Sequence, residues 1–350
     1  MKPTLHLFSV PHTSTTDEYS WCAFTSLAKS FSNMMFDLGY EVFLYAGPEN
    51  DARCTEHINC RGGYEWTERV PQYESSHPGW QAFANVAIKE LAQRFKPGDY
   101  LCLIGGYVQK PISDAFPGCF IVEPTAGYQG IINEPNAFRV FPSYAWMNAC
   151  YAHWMGAANA NGSFYDAVIP HFLEEKDFPL GDGSGDYLLY VGRLIERKGL
   201  YVVKDIAERT GLPLVVAGFG DESLIPPGAE FVGSVEPAER ARLMGAARCV
   251  LMPTLYVEPF GLVAIESQAT GTSVLTTDWG TFPETVEQDV SGYRCHTLAE
   301  FCAATEKVLD LDRVAIQEHA LNTYSTRVIG PQYDDYFHRL ETLKGAGWYA

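Results

Sequence analysis

Positive charge is what this chain has least of. Its 25 lysines and arginines stand against 43 aspartates and glutamates, for a formal charge of −18. A general grip on nucleic acid needs clustered Lys and Arg, so this balance argues against a polyanion-binding surface. No apolar stretch approaches the ~20 residues of a membrane span, and no strongly basic amphipathic helix would hold the chain on a lipid surface. The opening MKPTLHLFSVPHTSTT has too short an apolar run for a signal peptide and reads as a first strand with its loop. The nine cysteines are scattered and include no CxxC pair. That pattern disfavours a zinc site and a disulfide framework alike, and reduced, mostly packed thiols in a cytoplasmic protein are expected. No GxGxxG follows the first strand, where a dinucleotide fingerprint belongs. Internal repeats and low-complexity tracts are also missing.

What is present is a globular balance: 350 residues, 47% hydrophobic and 19% charged, enough for two domains. Short apolar runs alternate with helical patterns, the signature of βαβ units and a parallel sheet. In the first half, strands are expected at Leu5–Val10, Glu41–Tyr45, Tyr100–Ile104, Cys119–Val122, Ala137–Phe141 and Ala167–Pro170. Helices are expected at Trp21–Leu38, ended by Gly39, and at Pro78–Phe95 and Ser143–Met155, with 48–78 irregular. Residues 174–186 are polar, Gly-rich and aperiodic, and read as a linker. Strands and helices then alternate again from Tyr187 to Thr276, and Leu298 to Leu343 reads as helical. The domains predicted are 1–173 and 187–325, with a final helix in 326–350 packing back toward the first domain. Two doubly wound halves imply a cleft, and open parallel sheets bind ligands at the carboxyl ends of their strands.

Two segments of the second half carry chemistry. In YVGRLIERKG (190–199), a strand is expected to end at Val191, Gly192 to make a tight turn, and Arg193 and Lys198 to follow before a helix. Two cations beside a helix N-terminus suit a diphosphate: Arg adds a planar fork and Lys a point charge. The bland alternative is a strand–helix turn with solvated cations. In the segment that begins PTLYVEPFGLVAIE, a strand delivers Glu258 into a loop, Gly261 brings the chain to a helix start, and Glu266 lies on that helix. Amides of Phe260, Gly261 and Leu262 could face a phosphate. Glu266 could accept hydrogen bonds from a ribose diol, and Glu258 could reach the sugar.

The string EPFGLVAIE, with seven residues between Glu258 and Glu266, resembles the signature of the retaining glycosyltransferases of the GT-B fold, family 4. VGRLIERKG, PLVVAGFGDE, FVGSVEPAERARLMGAARCVLMPTLY and GTSVLTTDWGTFPETVEQDVSGY resemble further segments of that family, in order and spacing. AVIPHFLEEKDFP resembles its entry into the second domain, and GYEVFLY the second strand of its first. The resemblance implies an α/β GT-B architecture of two Rossmann-like domains with a C-terminal helical tail. It also implies transfer of a sugar from a nucleoside diphosphate to an acceptor hydroxyl with retained anomeric configuration. Arg193 and Lys198 would neutralise the leaving diphosphate, Glu266 would bind the ribose, and Glu258 with the 260–262 amides would hold the sugar and distal phosphate. Val235 would contact the base, and Gly218, Phe219 and Gly220 would border the nucleotide. No tightly bound cofactor is implied. With cations at the diphosphate and no Asp-x-Asp triplet beside them, no metal is expected either.

The first half departs from the family pattern. Residues 11–21 read PHTSTTDEYSW in place of a Gly-Gly loop, and VEPTAGYQG (122–130) has no His after the fourth strand. His12, Glu123, Tyr128, His153 and His171 are the polar candidates there, with His12 foremost because it sits in the first carboxyl-end loop. The first loop also resembles small phage-type glycosyltransferases, which adds a modified DNA base or a virion protein to glycans and small molecules as acceptor classes. A sugar-nucleotide epimerase and a non-catalytic nucleotide-sugar binder are the alternative functions. A dead copy has no chemical reason to keep Arg193, Lys198, Glu258 and Glu266 together.

Overall fold

A computed structural model of the chain describes residues 2–69, 71–128, 130–154, 156, 162–344 and 346–347. It divides into two compact units, one running to Pro170 and resuming at Gly330, the other spanning His171–Ile329. The first unit holds strands β1 (Thr4–Phe8), β2 (Glu41–Ala46), β3 (Glu56–Asn59), β4 (Tyr100–Leu103), β5 (Phe120–Glu123), β6 (Ala137–Phe141) and β7 (Ala167–Val168). Their order in the sheet is β3-β2-β1-β4-β5-β6-β7, with parallel ladders. Helices α1 (Ala23–Asp37), α2 (Pro78–Leu91), α3 (Lys110–Asp114) and α4 (Tyr144–Trp154) connect them.

The second unit repeats the plan. Strands β8 (Leu188–Leu194), β9 (Leu214–Gly220), β10 (Glu230–Gly233), β11 (Cys249–Met252), β12 (Val274–Thr277) and β13 (Gly292–Cys295) lie in the order β10-β9-β8-β11-β12-β13. Helices α5 (Leu200–Thr210), α6 (Pro237–Ala246), α7 (Leu262–Ala269) and α8 (Phe282–Thr285) alternate with them. Helices α9 (Leu298–Lys307), α10 (Arg313–Tyr324) and α11 (Thr326–Leu343) close the chain.

The local reasons are ordinary ones. Central strands read as continuous apolar runs because both faces are covered: Leu5, Leu7, Leu101 and Leu103 are all buried. Helix α1 buries Ala28, Phe31 and Met35, one stripe at helical spacing. Helix α2 starts on Pro78 at its first position, and the His77 side chain accepts from the Gly79 amide at 3.1 Å. From Gly330 on, α11 belongs to the first unit: Tyr333 Oη donates to the Pro124 carbonyl at 3.0 Å, and the Lys2 ammonium reaches Asp334 at 2.6 Å.

Four local expectations are corrected. The 48–78 stretch, expected to be irregular, contains β3, which pairs only with β2 and buries only Ile58. A four-residue edge strand with one buried side chain leaves almost no periodic signal. Gly192 makes no turn: β8 continues through Arg193 to Leu194, paired residue for residue with β9 out to Gly220. The pairing extends because glycines strip both strand ends; a Cβ on Gly218 would collide with the Gly192 carbonyl. Strand β7 stops at Val168, short of Pro170. The Gly-rich 181–185 segment, read as linker, is tied to the second unit by amides of Gly181, Gly183 and Gly185 donating to Thr270, Gly245 and Ala246 at 2.8–3.0 Å.

In each sheet the strand order reverses once, between β1 and β4 and between β8 and β11. A crevice outside the carboxyl ends forms at such a reversal, so each unit has one place where its topology favours a ligand.

Candidate functional site

The second unit places the nominated donor residues at its reversal. Lys198 closes a short 3-10 turn, Glu196–Lys198, after β8, and Glu258 lies in the loop after β11. Main chain ties the two loops: the Leu255 amide donates to the Arg197 carbonyl at 2.9 Å, and Gly199 sits too close to Pro253 to carry a Cβ. Lys198 Nζ lies 2.6 Å from Glu258 Oε2, a charge-assisted contact within a largely buried setting. Tyr256, unnoticed in the sequence, completes the group. Lys198 Nζ is 5.1 Å from its ring centroid and the Arg197 guanidinium 4.6 Å. Burial opposes the Lys198 charge, but Glu258 and Tyr256 outweigh it and raise its pKa. Burial likewise pushes the Tyr256 phenol up.

Helix α7 follows directly. Gly261, its N-cap, has φ 76°, a left-handed conformation that glycine adopts without cost. No side chain caps the helix, so its first amides and the positive end of its dipole are not taken up by a cap. Phe260 is buried between His171 and Tyr324, with ring centroids at 4.9 and 5.9 Å, and anchors the loop. Leu262 packs on the same cluster.

Glu266 lies one turn into α7 and meets Arg240 of α6, whose Nη2 is 2.9 Å from Glu266 Oε1. Arg240 is a second residue that sequence reasoning missed. Its only available signal was a cation near the start of the helix after Val235. Arg193, at the end of β8, is exposed and has no ion-pair partner among the described residues. Gly218, Phe219 and Gly220 form the last residues of β9 beside it, and Val235 packs half-buried on the core beneath β8 and β11. These nominated positions therefore share the carboxyl edge of one sheet, with Arg193 and Lys198 as cations and Glu258 and Glu266 as carboxylates. A groove of about 690 Å³ adjoins this loop, lined by Tyr201, Leu224, Pro226 and Leu255, but no nominated residue lines it. Among the described residues, no three His, Cys, Asp or Glu side chains gather to hold a metal.

The first-half candidates do not form one cluster. His12 follows β1, makes a 3.6 Å contact with Cys22 Sγ, and packs edge-on to Trp66 and Tyr73. Burial pushes its imidazole down to about 4. Glu123 ends β5, fully buried, with Oε2 accepting from the Ile132 amide at 3.0 Å. Burial pushes its carboxyl up to about 8, so it is mainly protonated at neutral pH. Tyr128 sits between Phe24 and Trp146, each 5.8 Å away. His153, in the last turn of α4, is exposed against Trp154. His171 belongs to the second unit, where burial lowers its pKa to about 3.

Comparison with known proteins agrees with this layout. A sucrose-phosphate synthase from Thermosynechococcus elongatus superposes with a TM-score of 0.72 at 18% identity, covering 97% of this chain and 100% of that one. An Anabaena HepE structure in complex with UDP and glucose gives 0.66 at 14% identity, covering 97% and 100%. The fold is therefore GT-B. Residues 173–325 match the family of glycosyl transferases group 1. A Mycobacterium tuberculosis glycogen synthase is 33% identical over 150 residues, 38% of this chain and 36% of the relative. A Mycolicibacterium smegmatis phosphatidyl-myo-inositol mannosyltransferase is 29% identical over 209 residues, 52% and 53%. The chain thus spans only about a third to a half of these curated relatives. Among the described residues, no helix is long and apolar enough to cross a membrane.

Proposed function

We propose that this chain is a glycosyltransferase that moves a sugar from a nucleoside-diphosphate donor to an acceptor hydroxyl, with retention at the anomeric carbon and without a metal ion. The observation that carries the reading is the charged group at the β8–β11 reversal: exposed Arg193, the Lys198–Glu258 pair, and the uncapped start of α7. A departing diphosphate accumulates negative charge, and preorganised cations and amides lower that barrier. Arg193, unpaired, is the first contact for the diphosphate, and Lys198 divides its charge between the phosphate and Glu258. Glu266, held on one oxygen by Arg240, keeps its second oxygen for the ribose diol. The family match over 173–325 and the UDP in the HepE complex support a nucleotide donor.

The chemistry balances without a protein base. The bond from the anomeric carbon to the diphosphate oxygen breaks as positive charge grows on the ring. The acceptor hydroxyl attacks from the same face, and its proton passes to the departing diphosphate oxygen beside it. Arg193 and Lys198 take the place that a divalent ion holds in metal-dependent transfer. Glu258 faces the developing positive charge. A cytoplasmic location goes with this reading, since all nine cysteines are unpaired thiols.

The test is a thermal-shift panel of UDP-, GDP-, ADP- and TDP-sugars, because a ligand that binds only the folded state raises its apparent stability. The stabilising donor is then assayed for nucleoside diphosphate release in EDTA, and the early product is read by NMR for its anomer. An inverted product refutes retention. Loss of turnover in EDTA that Mn²⁺ restores refutes the metal-free donor site.

A further inference from the structure

The two faces of the second sheet are put to different use. Successive strand residues alternate between two cores. Leu189, Val215, Val250 and Val274 pack with α6 and α7, while Leu188, Val216, Leu251 and Leu275 pack with α5 and α9. Arg240 and Glu266 lie on the helices of the first face, and Val235 packs on its core. The groove of about 690 Å³ opens on the other face: Leu200 belongs to that core, and Leu224 and Ile225 pack against it. The groove is therefore separate from the expected ribose and base contacts. Its volume lies inside the roughly 300–1,000 Å³ of small-molecule sites.

Its lining is amphipathic. Tyr201 and Leu255 both line it, and they are 58% and 40% exposed. Its charged residues are two cations, Arg197 and Lys204, and one acid, Glu196, in a chain whose formal charge is −18. Arg197 lies over the Tyr256 ring and has no ion-pair partner among the described residues. Lys204 meets Glu208 one turn on at 3.7 Å, with side chains 41% and 60% exposed, a pair of little strength. Helix α5 starts on Gly199 without a side-chain cap, so the positive end of its dipole adds to these charges.

The wall of the groove comes from the two loops that carry Lys198 and Glu258. Glu196 and Arg197 directly precede Lys198, and Leu255 lies three residues before Glu258. The Leu255 amide donates to the Arg197 carbonyl at 2.9 Å, and the ring of Tyr256 takes both cations. We infer that the groove is an effector site for a small amphipathic anion, an apolar ring or short chain bearing one phosphate or carboxylate, whose occupant steadies the loops of Lys198 and Glu258. The apolar part lies on Tyr201, Leu224 and Leu255, and the anionic head meets Arg197 and Lys204. An inorganic anion would leave the apolar walls wet, and a neutral hydrocarbon would leave the cations unmatched. A ligand that orders these loops reduces the cost of ordering them around a diphosphate, so the two bind cooperatively. Linkage makes the effect mutual. The effector role rests on the donor reading above, whereas occupancy of the groove does not.

The test is isothermal calorimetry of the full-length protein with phenyl phosphate and with hexanoate. Inorganic phosphate, phenol and phenyltrimethylammonium serve as controls. At least one of the two anions should bind, with every control weaker by about tenfold or more, and the tighter of the two assigns the head group. Its affinity should fall about fivefold or more in Tyr201→Ala and in Lys204→Ala, on the scale of one lost aromatic or charged contact. With the anion saturating, the nucleoside diphosphate of the stabilising donor should bind several-fold tighter, and the gain should vanish when both substitutions are combined. Silence from both anions overturns the inference, as do equal binding of phenol or the cation and indifference to both substitutions. Displacement of the anion by the nucleoside diphosphate would place it in the donor site and overturn the inference too, as would a nucleoside diphosphate affinity that the anion leaves unchanged. If no nucleoside diphosphate binds at all, the donor reading falls and the effector role with it, while calorimetry of the anions alone still decides whether the groove is occupied.

Discussion

The two carboxyl edges differ in which polar groups carry charge. In the second unit the charged ones are paired, Lys198 with Glu258, Arg240 with Glu266, and Arg294 with Asp278 at 2.7 Å, while Arg240 Nε, Thr276 Oγ1 and Thr281 Oγ1 have no hydrogen-bond partner among the described residues. In the first the buried ones are neutral, partly unmatched and set among rings: His12, Thr15, Glu123, Trp66. A charged ligand is best met by groups that keep their charge through mutual pairing. One architecture, built twice, thereby carries two different sets of polar groups on its loops.

The comparison breaks most readily at the cations. Arg193→Ala and Lys198→Ala should each cut turnover by about 10²-fold or more at saturating donor. The two differ in stability: Lys198→Ala strands the Glu258 carboxylate and should lower the melting temperature, whereas exposed Arg193→Ala should leave it unchanged. Turnover near normal in both variants would return these residues to solvated cations.

Next is the ribose contact. Glu266→Ala should weaken nucleoside diphosphate binding by about 2 kcal/mol or more, because partners built to meet a carboxylate lose it. Arg240→Ala should produce a smaller loss by releasing the carboxylate from its position. Isothermal calorimetry that finds equal affinity in wild type and Glu266→Ala would contradict the assignment.

Glu258→Gln keeps the shape and removes the charge. We expect turnover to fall by roughly tenfold with little change in donor affinity, the signature of an interaction strongest in the transition state. Full turnover would leave Glu258 as the structural partner of Lys198 only.

The smallest effect sharpens the other side of the comparison. Glu123 has its pKa raised by burial to about 8, above the ordinary carboxyl value of 4.5. The folded state therefore holds a proton that the unfolded chain gives up between those values, and the associated stability is lost as pH rises from about 4.5 through 8. His12, lowered to about 4, acts in the opposite sense, and its contribution is lost as pH falls from 6.5 toward 4. Glu123→Gln should flatten the first dependence, gaining on wild type by several degrees in melting temperature between pH 5 and pH 8. Parallel melting curves would show that Glu123 is not a buried acid.

Much of this was legible in the residues themselves. Apolar runs interrupted by helical stripes specify two parallel sheets, because strands covered on both faces admit few polar residues while helices between them need one apolar face. The order of Arg193, Lys198, Glu258 and Glu266 about a strand–glycine–helix turn pointed to a diphosphate, since helix starts and cations are recognisable by position. Sequence reasoning did not see β3, whose one buried side chain gives no period. Nor did it see that β8 runs on through Gly192, because extension there depends on the glycines of the neighbouring strand. Pairings such as Lys198 with Glu258, Tyr256 with both cations, and Arg240 with Glu266 join residues up to 60 positions apart. The same holds for the ionisation of Glu123: a glutamate in a sequence is an acid of ordinary strength, and only burial of its strand end, with one amide to bond it, makes it a neutral group at pH 7. Sequence by itself determined which segments fold and which residue types reach the strand ends, since both follow from local pattern. Tertiary structure alone decided which charges meet and which polar groups are left without partners, because those depend on what distant chain segments bring beside them.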